Sequence, residues 1–245
     1  MDFSDILAKA SLEFRSKNPN LAAAIEDLDY LYDNLYSKES NDVYHDYIIR
    51  LIQSLRRNLI LSGFLIESRQ LNSWIQVMRT IIESAEILLA TLVNFNWVRD
   101  VLKTWTSDLW SVLDKVRSIF ITWQKSTKNL DTTIISSIKE VKGFKDMINS
   151  ILTHANPYHN MFTGSWLIWN SDTIGYTQTF LDAERENSPQ KDYALLLLIS
   201  YSLLLLIYRV SQEGWANAYL RINEDVIIQR LDWKLELIVE VYNWI

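Results

Sequence analysis

The sequence predicts an all-α fold, a single bundle-like domain spanning residues 1–245 with seven to eight helices. Two observations predict it. The chain holds only 5 glycines and 3 prolines, whereas sheet-rich folds use both residues freely in their turns. Bulky apolar residues also recur at gaps of three and four through most of the chain, which is the spacing of one helix face.

The N-terminal part of the chain is predicted to form four helices, at 2–15, 20–37, 41–66 and 70–93. The first two are separated by Lys17, Asn18, Pro19 and Asn20. Proline is tolerated in the first turn of a helix, and Asn18 is the candidate N-cap of the second helix.

A fifth helix at 98–123 has the clearest pattern in the chain. Its apolar residues alternate at gaps of four and three: Val98, Leu102, Trp105, Leu109, Val112, Val116, Ile119 and Trp123. Such an alternation keeps one seam facing another helix, so this segment is predicted to lie inside a bundle. A sixth helix is predicted at 131–152, with Asp131 as its cap.

The periodicity stops in the segment 153–190. A small β-hairpin is one option within 161–181, since the residue types there suit strands; an irregular connection with one helical turn is the other. Long irregular segments are often functional, so 153–190 is the candidate domain sub-boundary or functional loop. The residues that would serve such a loop are His154, Tyr158, His159, Trp166 and Trp169.

A strongly apolar helix is predicted at 190–210. Its uncharged run, 193–208, is shorter than the roughly twenty residues of a membrane span. We therefore expect a central buried helix packed by the 98–123 helix, with membrane insertion as the alternative. The last segment, 223–245, alternates like a strand, but its length and its polar arc favour a helix.

The net charge of -6 hides an acidic–basic–acidic pattern. Residues 1–47 hold four Lys/Arg against ten Asp/Glu, residues 48–145 hold fourteen against eight, and residues 146–245 hold six against twelve. These parts can neutralise one another when they pack. Alternatively, the basic middle faces an anionic partner, and the residues that would contact an anion or nucleic acid are Arg50, Arg56, Arg57, Lys139, Lys142 and Lys145.

Several kinds of chemistry are excluded by the residues present. The chain has no cysteine, so disulfides and thiolate metal sites are absent, and it has no glycine-rich phosphate loop. His45-Asp46 resembles the central dyad of the HD phosphohydrolases, but no histidine precedes it to complete that metal site. The acidic run of Glu26, Asp27 and Asp29 lacks the spacing of a magnesium motif, and a solvated acidic face is expected there.

The sequence therefore favours a non-catalytic, cytoplasmic helical subunit that binds a protein partner or a second copy of itself. The 10 tryptophans and 12 tyrosines support this expectation, because large rings with polar tips are common at interfaces. No cofactor or metal is expected. The alternatives are an accessory subunit of a nucleic-acid-processing complex, acting through 48–145, and a membrane-associated protein, acting through 193–208.

Overall fold

A computed structural model describes residues 3–39, 42–68, 70–103, 109–127, 167–170, 173–176 and 179–230, together with ten positions between 132 and 146. Six α-helices are assigned in these residues: α1 (Phe3–Lys17), α2 (Pro19–Asn34), α3 (Val43–Glu67), α4 (Leu71–Lys103), α5 (Leu109–Ser126) and α6 (Thr179–Gln212). A 3₁₀-helix follows at Trp215–Tyr219. Residues 224–230 and the described positions from 132 to 146 are also helical. The prediction of an all-α fold is confirmed, with eight α-helical segments in the described residues.

The junction between α1 and α2 differs in one detail from the prediction. Pro19 opens α2 as expected, but Asn18 makes no capping hydrogen bond to the backbone of α2. Its amide nitrogen donates instead to the Phe14 carbonyl at 2.9 Å. Asn18 therefore satisfies one of the carbonyls left open at the end of α1.

Helix α3 begins at a capping aspartate. The Asp42 carboxylate accepts a hydrogen bond from the Tyr44 backbone N–H at 2.9 Å, which satisfies one of the open donors of the first turn. The helix then buries one apolar stripe that contains Ile48, Ile52, Leu55, Leu59 and Ile66.

The prediction of one straight helix at 98–123 is wrong. Val98 and Val116 belong to the same cluster of buried residues, together with Ala90 and Ile119. In a single straight helix, 18 residues would separate Val98 and Val116 by about 27 Å, given a rise of about 1.5 Å per residue. α5 therefore does not continue α4 in a straight line, and it packs against α4 instead.

A kink divides α4. Asn94 has non-helical backbone angles (φ -153°, ψ 83°), and this position falls between the predicted helices at 70–93 and 98–123. The predicted boundary between these two helices is thus present as a kink within α4.

Helix α6 begins before the predicted residue 190, at Thr179, and continues through Pro189. Proline lacks the N–H that the carbonyl of Arg185 would accept in a regular helix, which is why the sequence pattern pointed to a break here. Before α6, Leu167–Asn170 and Thr173–Tyr176 pair as antiparallel strands β1 and β2. This pairing falls within 161–181, where the sequence left a hairpin and an irregular connection as the two options.

The apolar run of α6 is buried, as expected. Among its fully buried side chains are Tyr193, Leu197, Leu204 and Ile207. Its main neighbours among the described elements are α2, α3 and α4, whereas α5 packs mainly on α4. Packing of α5 on this helix is therefore not among the main contacts of the described residues, although Phe120 and Trp123 of α5 pack against the core cluster that contains it.

Two helical stretches are long and apolar enough to cross a membrane by length and composition alone, Gln76–Asp100 and Pro189–Gln212. Within the apolar window of the second, 78% of the residues are buried inside the protein. A buried core helix has the same composition as a membrane span, so this property does not separate the two.

Candidate functional site

Five aromatic side chains from three distant parts of the chain meet at one end of the bundle. They are Tyr44 and Tyr47 at the start of α3, Phe95 just after the kink of α4, and Trp215 and Tyr219 in the 3₁₀-helix. We call these five residues the aromatic end.

Phe95 lies in the middle of the aromatic end. Its ring centroid is 4.3 Å from that of Tyr44, 5.6 Å from that of Tyr47 and 6.3 Å from that of Trp215. Each of these pairs is close to perpendicular, with interplanar angles between 78° and 87°. Edge-to-face contacts of this kind stabilise each ring pair beyond the burial of its area, so the rings hold one another in place.

The 3₁₀-helix reaches this position because Gly214 precedes it. A Cβ atom at Gly214 would lie 3.3 Å from the Leu92 carbonyl oxygen, which is a tight contact. Glycine therefore lets the chain pass close to α4 before it presents Trp215.

Polar contacts fix Tyr219 at the same end. Its hydroxyl donates to the carboxylate of Asp42, and its ring stacks on the buried imidazole of His45 at 4.4 Å with an interplanar angle of 11°. The hydrogen bonds from Tyr219 and from the Tyr44 backbone hold the pKa of Asp42 below its usual range. The same carboxylate raises the pKa of the Tyr219 phenol.

His45 belongs to no cluster of metal-ligating side chains among the residues that the structure describes. It is fully buried, and neither ring nitrogen has a hydrogen-bond partner among the described residues. The described residues contain no group of three or more His, Cys, Asp and Glu side chains that could hold a metal ion. His45 therefore acts as a stacking surface for Tyr219.

The aromatic end is only partly covered by the rest of the protein. Tyr44 is 37% exposed and Trp215 is 36% exposed. Val43 and Trp97, which neighbour the cluster in sequence, are more exposed still. Both rings are thus about one-third open to solvent while their ring contacts hold them in place.

A second feature is a cleft bordered by α4, α5, α6 and the helical residues near 141. Its volume is about 400 Å³. Its apolar walls are Leu89, Phe120, Ile121, Ile138, Val141 and Leu206, and its polar lining is Glu86, Gln124, Lys142, Lys145 and Asp146. No pattern in the sequence indicated this cleft, because its walls come from four separate segments.

The six basic residues predicted to contact an anion have different surroundings. Arg56 donates to Asp29, at 2.9 Å through one nitrogen, and pairs with Asp33. Lys145 pairs with Glu86. These two cations are thus neutralised inside the protein.

The other four basic residues are exposed, Arg50 and Arg57 on α3 and Lys139 and Lys142 on the helical segment near 141. No contact among the described residues links the two arginines on α3 to the two lysines near 141. The four cations therefore do not form one basic surface in the part of the chain that is described.

The expected solvated acidic face on α2 is wrong for two of its three residues. Asp27 pairs with Arg230 at 2.5 Å, Asp29 pairs with Arg56, and each side chain is only 28% exposed. Glu26 remains open at 69% exposure. The sequence could not show this, because Arg230 and Asp27 are 203 residues apart.

One buried polar cluster was missed by the sequence analysis. Glu67, at the end of α3, is 1% exposed. Its carboxylate accepts hydrogen bonds from Ser11 at 2.5 Å, from the Arg15 Nε at 3.0 Å and from the Tyr193 hydroxyl at 2.9 Å. Burial, together with this carboxylate, raises the pKa of the Tyr193 phenol. The cluster joins α1, α3 and α6, and each polar group in it has a partner, as a structural role requires.

The predicted loop residues His154, Tyr158, His159 and Trp166 lie outside the described residues. Trp169 is described through its backbone, which pairs with Ile174 in the hairpin.

The comparisons with known proteins add no family to these observations. No protein-family model matches the sequence, no curated protein is detectably similar to it, and no solved structure matches its fold.

Proposed function

We propose that this protein is a non-catalytic helical binding or assembly subunit, and that a protein partner or a second copy of the chain docks on the aromatic end. One observation carries the proposal: Tyr44 and Trp215 are each more than a third exposed while ring contacts hold them in place. Binding costs less entropy when the contact side chains are already fixed. Tyrosine and tryptophan are also the residues most often found at interface hot spots.

The geometry of the rings favours a broad surface over a small caged ligand. Neighbouring ring centroids in the aromatic end lie 4.3 to 6.3 Å apart, so the rings pack against one another. A cage for a cation needs rings that surround an open centre. The exposed edges of Tyr44 and Trp215 therefore suit a partner that lies across them.

The first experiment measures the mass of the purified chain by light scattering over a range of concentrations. We expect a defined oligomer. If the chain is monomeric, the same sample is used to capture a partner from cell lysate, and the partner is then titrated as a purified protein. Trp215→Ala and Tyr44→Ala are each expected to weaken the association by about tenfold or more, as truncation of a hot-spot ring does.

Tyr30→Ala is the matched control for this experiment. Tyr30 is 48% exposed, but it lies on α2 beneath the Arg230 guanidinium at 4.4 Å from its ring centroid, away from the five rings. We expect Tyr30→Ala to leave the association unchanged. A monomer that captures no partner contradicts the proposal, and so does an equal loss of binding in all three variants.

A further inference from the structure

The cleft between α4, α5 and α6 has the chemistry of a small-molecule site, and it is separate from the aromatic end. Six apolar side chains form its walls, and its volume of about 400 Å³ lies within the range of about 300–1,000 Å³ that ligand sites occupy. Phe120 is held in the wall by stacking on Trp123, with ring centroids 5.5 Å apart. The apolar walls call for a ligand with an aliphatic or aromatic body.

The charged side chains at the cleft determine which polar group the ligand can carry. Lys145 is occupied by its ion pair with Glu86, and both of these side chains are mostly buried. Lys142 is exposed and lines the cleft, and it has no ion pair within the part of the chain that the structure describes. Lys142 is therefore the cation that a ligand can reach.

Asp146 limits how much negative charge the cleft can accept. It lines the same cleft and is one helical turn away from Lys142, so a polyanion would be repelled by it. The Gln124 amide offers a further hydrogen-bond donor without adding charge. One anionic group is the best match to this lining.

We propose that the cleft binds a small amphipathic monoanion, with an apolar body against Leu89, Phe120 and Val141 and one carboxylate at Lys142. The proposal does not depend on the aromatic end, because the two features share no residue.

The test titrates the full chain with three eight-carbon probes by calorimetry, each below the concentration at which it forms micelles or a separate phase. Sodium octanoate carries the proposed carboxylate, 1-octanol has no charge, and octylammonium chloride has the opposite charge. We expect octanoate to bind at one molecule per chain and octylammonium to bind about tenfold or more weakly, since one lost ion pair and one like-charge contact separate them.

Two variants separate the contribution of the ligand's carboxylate from that of its apolar chain. Lys142→Glu is expected to weaken octanoate about tenfold or more and to leave octanol unchanged, because it replaces the cation with an anion and leaves the apolar walls as they are. Ile121→Trp is expected to weaken both probes, because Ile121 lines the cleft and is 47% exposed, so a larger ring there fills the opening without disturbing the core.

Each variant has a matched control elsewhere in the chain. Lys125→Glu changes the charge of another exposed lysine, on α5 but outside the cleft lining. Ile60→Trp changes an isoleucine that is 44% exposed on α3. Both controls should bind octanoate as the unchanged chain does.

Three results would overturn the proposal. They are no saturable heat with octanoate, equal affinity for octanoate and octylammonium, or the same loss of octanoate binding in Lys125→Glu as in Lys142→Glu. None of these results bears on the association at the aromatic end, so the two proposals fail separately.

Discussion

Glu67 is an acidic side chain placed where α1, α3 and α6 meet, and it is almost fully removed from solvent. A buried carboxylate is expensive unless it is paired and hydrogen-bonded. Here Ser11, Arg15 and Tyr193 all donate to it. Its position makes it a junction between three helices that are far apart in sequence.

Glu67→Gln is expected to lower the free energy of unfolding by about 1.5–3 kcal/mol, the range for hydrogen bonds that involve a charged group. The charge contact with Arg15 is lost, and the new amide must be accommodated among three donors. Urea unfolding followed by tryptophan fluorescence measures this change.

Glu26→Gln is the control, because Glu26 also pairs with Arg15, at 3.5 Å, but is 69% exposed. An exposed pair of this kind contributes about 1 kcal/mol or less. If the two variants unfold at the same urea concentration, the buried cluster does not stabilise the fold as described.

Among the individual helices, α4 is kinked at Asn94, and a local hydrogen bond explains the kink. The Asn94 side-chain oxygen accepts a hydrogen bond from the Trp97 backbone N–H at 3.2 Å, three residues later. Asn94 has non-helical angles, so it acts as the N-cap of the helical segment that carries Phe95. The kink therefore helps to set the position of the aromatic end.

Asn94→Ala is expected to destabilise the protein by about 1 kcal/mol, the usual loss for an N-cap. Asn94→Asp should retain the stability, since aspartate accepts the same hydrogen bond and its charge suits a helix N-terminus. Thermal unfolding and near-ultraviolet circular dichroism measure the stability and the ring packing. The interpretation fails if alanine is as stable as aspartate at this position.

At the scale of the whole molecule, α6 is the central element. The main cluster of buried residues includes side chains from α1, α2, α3, α4 and α6, and continues to Ile227 beyond the 3₁₀-helix. Tyr32 on α2 donates its hydroxyl to the Ser200 carbonyl of α6 at 2.9 Å. Burial raises the pKa of the Tyr32 phenol, in keeping with a hydroxyl that is held neutral inside the core.

Leu197→Ala on α6 is expected to lower the free energy of unfolding by about 2–5 kcal/mol, since it leaves a cavity among packed side chains. Leu12→Ala is the control, because Leu12 is 69% exposed on α1 and surface substitutions change stability by about 0.5 kcal/mol or less. Urea unfolding of both variants is the measurement. Similar small effects of both substitutions would mean that α6 is not held inside the bundle.

The sequence by itself determined the helical class and most of the helix positions. Apolar residues at gaps of three and four are a local signal, because they record which side of each helix must avoid water. The length of the uncharged run 193–208 separately indicated a buried helix, and most of its side chains are buried inside the protein. It also indicated a boundary after residue 93, which is the kink at Asn94.

Only the tertiary structure decided where the chain turns and which side chains meet. The apolar pattern continues unchanged from Val98 to Trp123, because two helices that each bury a face can have the same spacing as one. The pattern therefore did not show that α4 and α5 are separate helices packed on each other. The Asp42 and Tyr219 contact in the aromatic end joins residues 177 positions apart. The cleft and the Glu67 cluster likewise combine several helices. Such contacts depend on how the helices pack in space. The period of a single helix shows which face is buried, but it does not show which other helix covers that face.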